Sequence, residues 1–184
     1  MSAGNARHAR PATHDDIPAI WEIDSSATSK FGSIPTLADL ADPAESDQKF
    51  QEYLGNGRVY VVEEAGQLMG YVAVCSADDA VFIEEIAVHA DHQRKGVGEM
   101  LLGAVLRDAE RAAKSGGRKV ARISLTTYAD VPWNGPWYKK HGFSEVEAKT
   151  IGPWHAEKST SEEERSLDRA GYRRICMLLE KTLE

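Results

Sequence analysis

The spacing of apolar residues predicts that the chain opens with a short extended segment and an amphipathic helix. Residues 6–9 have an extended pattern, and Thr13 with the acidic pair that soon follows has the features of a helix start. Apolar residues then recur at helical spacing through residues 17–23. We expect this helix to end near Ser29, before a loop with short helical pieces and a further helical turn or two at residues 48–54.

A change of period after residue 58 predicts three antiparallel strands. The apolar runs at residues 59–62, 68–74 and 81–88 are rich in β-branched residues, and turn-forming residues separate them at 63–67 and 76–79. This pattern is typical of a strand meander.

The second half of the chain mixes helices and strands. A long amphipathic helix is predicted over residues 96–114, where apolar residues follow one face and glycines follow the last turn. Further elements are a strand at 120–126, a helix at 133–141, a strand at 143–146, a polar helical insertion at 157–170 and a strand at 173–179. The order predicts a single α/β domain over residues 1–184 with a mixed sheet.

The composition and charge of the chain limit the kinds of molecule that we expect it to bind. The formal charge of −7 and the pI near 5.4 argue against nucleic acid, which requires a basic surface, and weakly favour a cationic substrate. The N-terminal residues lack a secretory signal, and no apolar run approaches the ~18 residues that span a bilayer, so we expect no membrane partner and a cytoplasmic location. The cysteines Cys75 and Cys176 lie in apolar runs without metal-ligand spacing, which predicts buried reduced thiols and no metal.

The residues that follow the third meander strand indicate a phosphate-binding turn. A buried strand leads into a segment with Gly96 and Gly98, where a helix begins. The N-terminus of a helix offers unpaired N–H groups and about half a positive charge, and glycines let a pyrophosphate approach the backbone. Leu101 stands where a Rossmann fingerprint would have its third glycine, and the G-K-[ST] of a Walker loop is absent.

Together Gln93, Gly96 and Gly98 resemble the coenzyme-binding motif Q/R-x-x-G-x-G/A of the GNAT acyltransferases. The resemblance extends over residues 6–179, because the order of predicted elements is also similar to that of the family. It implies an α/β fold with a mixed, mostly antiparallel central sheet of about seven strands flanked by helices and a splay between strands 4 and 5. It also implies acetyl-CoA as cosubstrate.

The resemblance assigns coenzyme contacts to the end of the fourth strand, the turn and the short later helix. These residues are Ile86, Ala87, Val88, Gln93, Arg94, Lys95, Gly96, Val97, Gly98, Glu99, Asn134 and Tyr138. The family often has an asparagine seven residues before its tyrosine, where this chain has Val131. We interpret Asn134 as the N-cap of the short helix and retain it among the candidate contacts.

Tyr138 and the later pair Gly142-Phe143 reproduce a second spacing of the family. The resemblance implies that Tyr138 is the acid, because a phenol near the sulfur can protonate the departing thiolate. The alternative interpretation is an ordinary packing residue whose hydroxyl lies at the surface.

Glu84 and Glu85 are the candidate bases that take the proton of an amine nucleophile. They interrupt an otherwise apolar strand, and alternation predicts that they point to opposite faces. This pattern is similar to that of the polyamine acetyltransferases of the family, so we expect Glu84 to act, through a water molecule, with Glu85 second.

Two alternatives to these bases stay open. One glutamate could be solvated while the other pairs with Arg122 or Lys119 on a neighbouring strand. His89 and His92, in the loop before the phosphate-binding turn, could accept the proton instead.

The chemistry that follows is direct attack of a primary amine on the thioester in a ternary complex. No covalent acyl-enzyme is expected, because no serine or cysteine is in an evident nucleophile–base arrangement. We expect a small-molecule amine as acceptor and a monomer or homodimer; the alternatives are a protein lysine or N-terminal amine, or a non-catalytic CoA-binding sensor. The acidic run at residues 162–164, with Asp168, is interpreted as the solvated face of a helix.

Overall fold

The computed structural model describes residues 6–41 and 47–184. Its strands are β1 (His8–Pro11), β2 (Arg58–Glu64), β3 (Gln67–Ala77), β4 (Ala80–Val88), β5 (Val120–Tyr128), β6 (Ser144–Val146) and β7 (Arg174–Thr182). Its helices are α1 (Ile17–Thr28), α2 (Asp47–Asn56), α3 (Val97–Ser115), α4 (Gly135–Lys140) and α5 (Pro153–Glu164). None of these helices is long and apolar enough to cross a membrane.

Most of the predicted elements are confirmed. The helix predicted up to Ser29 is α1, preceded by a short 3-10 helix at His14–Asp16, where the Thr13 N–H donates to the Asp16 carboxylate over 2.8 Å. The loop after α1 contains 3-10 helices at Ser29–Ser33 and Pro35–Ala41, while residues 42–46 lie outside the described residues.

The strands form one seven-stranded sheet in the order β1-β2-β3-β4-β5-β7-β6. β4 and β5 are parallel, whereas β1 with β2, β2 with β3, β5 with β7 and β6 with β7 are antiparallel. The mixed sheet flanked by helices is therefore confirmed. β4 pairs with β5 through Val81–Ile83 and Ile123–Leu125. The splay between these strands stays a prediction.

The contacts divide the chain into two compact units. The first comprises Met1–Cys75 and Glu84–Val105, and the second comprises Ser76–Ile83 and Leu106–Glu184. The single domain stays a prediction.

In the first unit, α1 and α2 pack on one face of β2 and β3. Val61 lies opposite Tyr71 in the antiparallel register. Both are fully buried and belong to one apolar cluster with Ile20 of α1 and Phe50 of α2. Burial of each large apolar side chain of this kind contributes roughly 1.5–3 kcal/mol. This cluster therefore fixes both helices against the sheet.

The start of α3 packs closely on the opposite face of β3. A Cβ placed on Gly70 would lie 2.8 Å from the carbonyl oxygen of Ala87, 3.0 Å from Val97 and 3.2 Å from Leu101. Gly70 and Tyr71 are successive residues of β3, and successive residues face opposite sides of a sheet. The start of α3 therefore packs on the side opposite to the Tyr71 side chain. The first turn of α3 thus reaches the sheet only because residue 70 has no side chain.

In the second unit, the predicted polar insertion begins as a helix four residues earlier than the sequence indicates, at Pro153 rather than at residue 157. The carboxylate of Asp78 accepts the N–H groups of Trp154 at 3.3 Å and of His155 at 3.2 Å. Asp78 therefore caps α5 from a turn that is distant in sequence, which local capping patterns do not reveal.

The acidic run of α5 is not wholly solvated, which corrects the sequence interpretation at Glu162. This side chain is buried, and its Oε1 accepts a hydrogen bond of 2.7 Å from Thr126. Arg174 forms an ion pair with it at 3.2 Å. Glu163 and Glu164 are exposed, as expected. A partner on β7 accounts for the burial of one member of the run.

Both cysteines are free thiols. Cys176 is buried, and burial, with the nearby Glu162 carboxylate, raises the pKa of its thiol to about 11. Cys75 is half-buried rather than buried. The prediction of reduced, buried thiols therefore holds fully only for Cys176.

The close approach at Gly70 gives a test of the fold. Gly70→Ala is expected to lower the free energy of unfolding by about 1–3 kcal/mol, because the added methyl group meets backbone and α3. Urea unfolding followed by circular dichroism measures this change.

The matched control is Gly55→Ala in α2, where an added Cβ has nothing within 4 Å. This change should leave stability equal or raise it by up to about 1 kcal/mol. Equal destabilisation by both substitutions would contradict the packing described at Gly70.

Candidate active site

The segment between β4 and α3 forms a tight turn at the helix N-terminus. After a 3-10 helix at Ala90–His92, the backbone is left-handed at Arg94, with φ of +59°, and at Gly96, with φ of +82°. Left-handed backbone at two near neighbours turns peptide N–H groups toward one side, as in anion-binding nests. α3 begins directly afterwards, at Val97.

The first N–H groups of α3 are available to a ligand by geometry. The Met100 N–H donates to the Gly96 carbonyl over 3.1 Å, which makes Gly96 the residue before the first helical turn. The N–H groups of Val97 and Gly98, in the first turn, then have no acceptor inside the helix. Arg94 and Lys95 are exposed beside them and add positive charge.

Two side chains fasten this turn to the sheet. Gln93 donates from Nε2 to the Val88 carbonyl over 3.0 Å, so the motif glutamine holds the turn against the end of β4. Arg7, which the sequence did not single out, donates to the Lys95 carbonyl at 2.5 Å and pairs with Glu64 at 3.1 Å. Arg7 was missed because an arginine before an edge strand carries no local motif.

The predicted thioester-binding residues Ile86, Ala87 and Val88 form the end of β4. Ala87 is buried, and Ile86 and Val88 are partly buried. The strand and the turn thus bring all of the coenzyme residues predicted between Ile86 and Glu99 into one continuous stretch of the first unit.

Glu85 lies in a cluster of ionisable and aromatic side chains from α1, α2, β3 and β4. We call Asp24, Lys49, Tyr53, Tyr71 and Glu85 the Lys49 cluster. The Lys49 ammonium is 2.6 Å from Glu85 Oε2 and 3.6 Å from Asp24 Oδ2. Tyr53 donates to Glu85 over 3.3 Å, and Tyr71 donates to Asp24 over 2.8 Å.

Aromatic rings complete the surroundings of this ammonium. Lys49 Nζ lies 5.4 Å from the ring centroid of Phe50 and 5.9 Å from that of Tyr53. At these distances a cation is attracted to the ring faces. Carboxylates and aromatic rings together therefore hold the ammonium group of Lys49.

Burial makes the electrostatics of this cluster strong. The Asp24 side chain is 5% exposed and that of Glu85 is 23% exposed. Burial and the nearby Asp24 carboxylate raise the pKa of Glu85 to about 7, although Lys49 acts in the opposite direction. Burial lowers the pKa of Lys49, but Glu85 and Asp24 outweigh it, so that pKa is raised. Glu85 can therefore gain or lose a proton near neutral pH.

The alternative in which a glutamate pairs with Arg122 or Lys119 does not describe Glu85. Its ion-pair partner is Lys49 of α2. Arg122 pairs instead with Asp79 and, at 3.0 Å, with Glu180. Glu84 accepts a hydrogen bond from Cys75 Sγ at 3.2 Å.

The sequence missed the other members of the Lys49 cluster, although one left a signal. Asp24 falls among the apolar positions of α1 that face the core, next to Ile23 and three residues before Ala27. An acidic residue at a buried position of an amphipathic helix indicates a buried partner. Lys49 and Tyr53 show no such signal, because α2 mixes polar and apolar residues and neither residue type is unusual there.

His89 and His92, the alternative bases, lie at and before the turn. Their ring centroids are 5.7 Å apart, and His89 Nδ1 accepts the Asp91 N–H at 3.3 Å. Burial, followed by the charge of Lys95, lowers the pKa of His92. The two histidines belong with the phosphate-binding turn and not with the Lys49 cluster.

Tyr138 lies in the second unit, and the way that α4 ends explains its spacing from Gly142 and Phe143. The Phe143 N–H donates to the Tyr138 carbonyl over 3.1 Å, and the Gly142 N–H donates to the Lys139 carbonyl over 3.1 Å. These bonds, with φ of +90° at Gly142, form a Schellman helix stop. The Tyr138 and Phe143 rings pack edge to face at 5.5 Å. Tyr138 is 7% exposed, so its hydroxyl is not a freely solvated surface group.

Asn134 is the residue at the N-cap position of α4, as predicted, but its side chain makes no capping hydrogen bond. Its carbonyl accepts the Tyr138 N–H at 3.0 Å. Gly135 follows because a Cβ there would lie 2.5 Å from the Ala129 carbonyl oxygen. Backbone packing, more than side-chain capping, therefore sets the start of α4.

The second unit also contains a hydrogen-bonded serine, histidine and aspartate, which the sequence did not indicate. Ser124 Oγ is 2.7 Å from His155 Nε2, and His155 Nδ1 is 2.6 Å from Asp78 Oδ2. The order is that of a nucleophile, base and orienting acid. Ser124 is 0% exposed and His155 is 2% exposed, so no substrate reaches them. The three residues fasten α5 to β5, and their separation in sequence explains why they were missed.

No group of three or more metal-ligating side chains occurs among residues 6–41 and 47–184.

Residues 55–145 match the family model described as an acetyltransferase (GNAT) domain. The matched segment includes β4, the phosphate-binding turn, α3 and α4. It therefore includes every predicted site residue from Glu84 to Tyr138.

Solved structures share the fold over nearly the whole chain. The ribosomal-protein-S18-alanine N-acetyltransferase of Escherichia coli is 19% identical with a TM-score of 0.65, and the match covers 97% of this chain and 96% of that one. PaiA N-acetyltransferase of Thermoplasma acidophilum, in complex with coenzyme A, is 12% identical with a TM-score of 0.65, and the match covers 96% and 99%. YncA of Salmonella typhimurium, with acetyl-CoA, is 21% identical with a TM-score of 0.62, and the match covers 98% and 95%. At these identities the likeness shows a shared fold. The domain match therefore shows that the chain contains a GNAT acetyltransferase domain at residues 55–145, within a fold that these solved structures share.

Proposed function

We propose that the protein transfers an acetyl group from acetyl-CoA to a primary amine of a small molecule, by direct attack in a ternary complex. The observation that carries this proposal is the ammonium of Lys49, held 2.6 Å from a carboxyl group whose pKa is raised to about 7. The carboxyl group, Glu85, adjoins the strand residues Ile86–Val88 that are the candidate thioester contacts.

The phosphate-binding turn supports the coenzyme part of the proposal. Acetyl-CoA supplies an activated acetyl thioester and carries a pyrophosphate that must be neutralised. The N–H groups of Val97 and Gly98, with the charges of Arg94 and Lys95, provide complementary groups. No Cβ projects from Gly96, where φ is +82°, so the backbone can approach an anion closely.

Glu85 is the proposed base in place of Glu84, our first choice from the sequence. A primary amine is protonated at neutral pH, so its proton must be removed before it can attack a carbonyl carbon. A carboxylate with a pKa near 7 does this better than one with an ordinary pKa, and Glu85 already lies at hydrogen-bond distance from an ammonium. Glu84, bonded to Cys75, is the second candidate.

We assign proton donation to Tyr138 from the resemblance of its segment. The thiolate leaving group gains a proton when the carbon–sulfur bond breaks, and a phenol can supply it. The helix stop at Gly142 explains why the spacing exists. The spacing alone therefore does not establish a catalytic role, and the substitution below is the decisive test.

A cationic acceptor fits the charge of the Lys49 cluster. Two carboxylates face one ammonium, so one negative charge is uncompensated when both are ionised. The enclosed Asp24 favours an ammonium at the end of a narrow alkyl chain, as in small amines. A lysine of another protein has the same shape, and the E. coli neighbour acts on a ribosomal protein, so a protein amine is the second candidate.

The Gly96 turn gives a test of coenzyme binding. Gly96→Ala is expected to weaken acetyl-CoA binding by at least about 10-fold, which corresponds to 1.4 kcal/mol. A side chain there strains the left-handed backbone and redirects its N–H groups. Isothermal titration calorimetry measures the dissociation constant.

Gly66→Ala is the control, because Gly66 also has a left-handed φ of +81° and an added Cβ would also meet nothing within 4 Å. Both substitutions carry the same local strain, but Gly66 lies in the β2–β3 turn. An equal loss of coenzyme affinity in both variants would contradict the assignment of the phosphate-binding turn.

The base assignment predicts both a rate loss and a change in pH profile. Glu85→Gln should lower kcat by about 10²–10⁴-fold, the usual contribution of a general base. The base must be ionised to act, so kcat/KM of the wild type should rise with pH through about 7, and this limb should vanish in the variant. Glu84→Gln is the comparison. If the ascending limb of kcat/KM were lost in Glu84→Gln but kept in Glu85→Gln, the general base would be Glu84.

The first experiment on function is thiol release from acetyl-CoA with a panel of polyamines, amino sugars, amino acids, arylalkylamines and short peptides. We expect turnover on one class of small amine, and a fall of about 10-fold or more in Tyr138→Phe. Turnover only on peptides would favour the protein acceptor. Tight acetyl-CoA binding with no turnover would favour a non-catalytic sensor, and unchanged turnover in Tyr138→Phe would remove the acid assignment.

A further inference from the structure

The ammonium in the Lys49 cluster belongs to the protein itself. Lys49 Nζ is 2.6 Å from Glu85 Oε2, the distance at which a base takes the proton of an amine, and 3.6 Å from Asp24. The position of this ammonium relative to the proposed base is the position that an acceptor amine would need. The Lys49 side chain is 29% exposed, so it is neither sealed in the core nor freely solvated.

We propose that Lys49 is an acetylation site of the protein itself, modified by its own acetyltransferase activity. This inference rests on the proposed function. Lys49 is carried by α2, and Glu85 adjoins the β4 residues that are the candidate thioester contacts. Acceptor, base and the predicted thioester position therefore all lie in the first unit.

The chemical step balances without any further reagent. The nitrogen lone pair of Lys49 forms a bond to the acetyl carbonyl carbon, and the carbon–sulfur bond of acetyl-CoA breaks. Before the attack, the Lys49 ammonium passes one proton to Glu85 and from there to solvent. Nζ loses a second proton as the amide forms, and this loss balances the proton that the departing thiolate takes up. The products are an amide on Lys49, free CoA and one released proton.

Acetylation of Lys49 would change the charge of the whole cluster. The amide is neutral, so Asp24 and Glu85 lose the cationic partner that Lys49 gives them, while Tyr53 and Tyr71 beside them offer no positive charge. Lys49 lowers the pKa of Glu85, and removal of its charge therefore raises that pKa. The ascending limb of the pH–rate profile would move to higher pH, and turnover near pH 7 would fall.

The test uses the full chain and acetyl-CoA labelled with ¹³C in the acetyl group, without any acceptor. Intact mass and peptide mapping should show one labelled acetyl group per chain, on Lys49, with a rate independent of protein concentration. Glu85→Gln should slow this incorporation by at least about 10-fold. Lys149→Arg, at an exposed surface lysine, is the control and should leave it unchanged.

Several outcomes would overturn the proposal. Turnover on an added amine with no label on Lys49 rules out the modification and leaves the proposed function standing. If Lys49 is labelled as fast in Glu85→Gln as in the wild type, the thioester acetylates it without catalysis by the protein. The same conclusion follows if Lys49 is labelled no faster than Lys149. Neither turnover nor label, with acetyl-CoA bound, contradicts the proposed function as well.

A second readout separates modification from a merely structural ion pair. Lys49→Gln imitates the neutral amide, and Lys49→Arg keeps the charge but cannot be acetylated in the same way. We expect the ascending limb of kcat/KM to move to higher pH in Lys49→Gln but not in Lys49→Arg. Equal profiles in both variants would contradict the proposed effect of acetylation.

Discussion

The ion pair of Lys49 and Glu85 joins the fold of the first unit to its chemistry. A carboxyl group on an interior strand is costly to bury as an anion unless a cation compensates it. Lys49, from a helix that the apolar cluster around Phe50 and Tyr71 fixes in place, supplies that cation. Burial and the Asp24 carboxylate beside the pair outweigh this cation, so the pKa of Glu85 is raised to about 7. Packing thus determines the acidity of the proposed base.

The phosphate-binding turn depends on packing in a similar way. The turn can present its N–H groups to a ligand only if α3 begins at Val97. The first turn of α3 can approach β3 only at Gly70, which has no side chain. Gln93 and Arg7 then hold the turn through the carbonyl groups of Val88 and Lys95. Two of the groups that support the turn, Gly70 and the Val88 carbonyl, therefore lie on strands, while the turn itself provides the backbone donors.

In the second unit, buried polar side chains fix an element that has little hydrophobic character of its own. α5 is mostly polar, but Asp78 caps its first turn, and His155 reaches Ser124 of β5 at 2.7 Å. Further along the helix, Glu162 pairs with Arg174 and Thr126. Each of these groups is satisfied by a partner that is distant in sequence, which is how buried polar groups avoid a desolvation cost.

The sequence by itself determined the class of fold, the order of elements and the glycine turn at the start of α3, because these depend on hydrophobic period and on glycines at local positions such as Gly96 and Gly142. It also indicated that one of Glu84 and Glu85 has an unusual environment, since both interrupt an apolar strand. Only the tertiary structure distinguished their surroundings, because Asp24, Lys49 and Tyr53 are brought to Glu85 by the packing of two helices. The same holds for Asp78 with His155 and for Arg174 with Glu162. Long-range partners leave no periodic signal, and the energy of a buried charge depends on them.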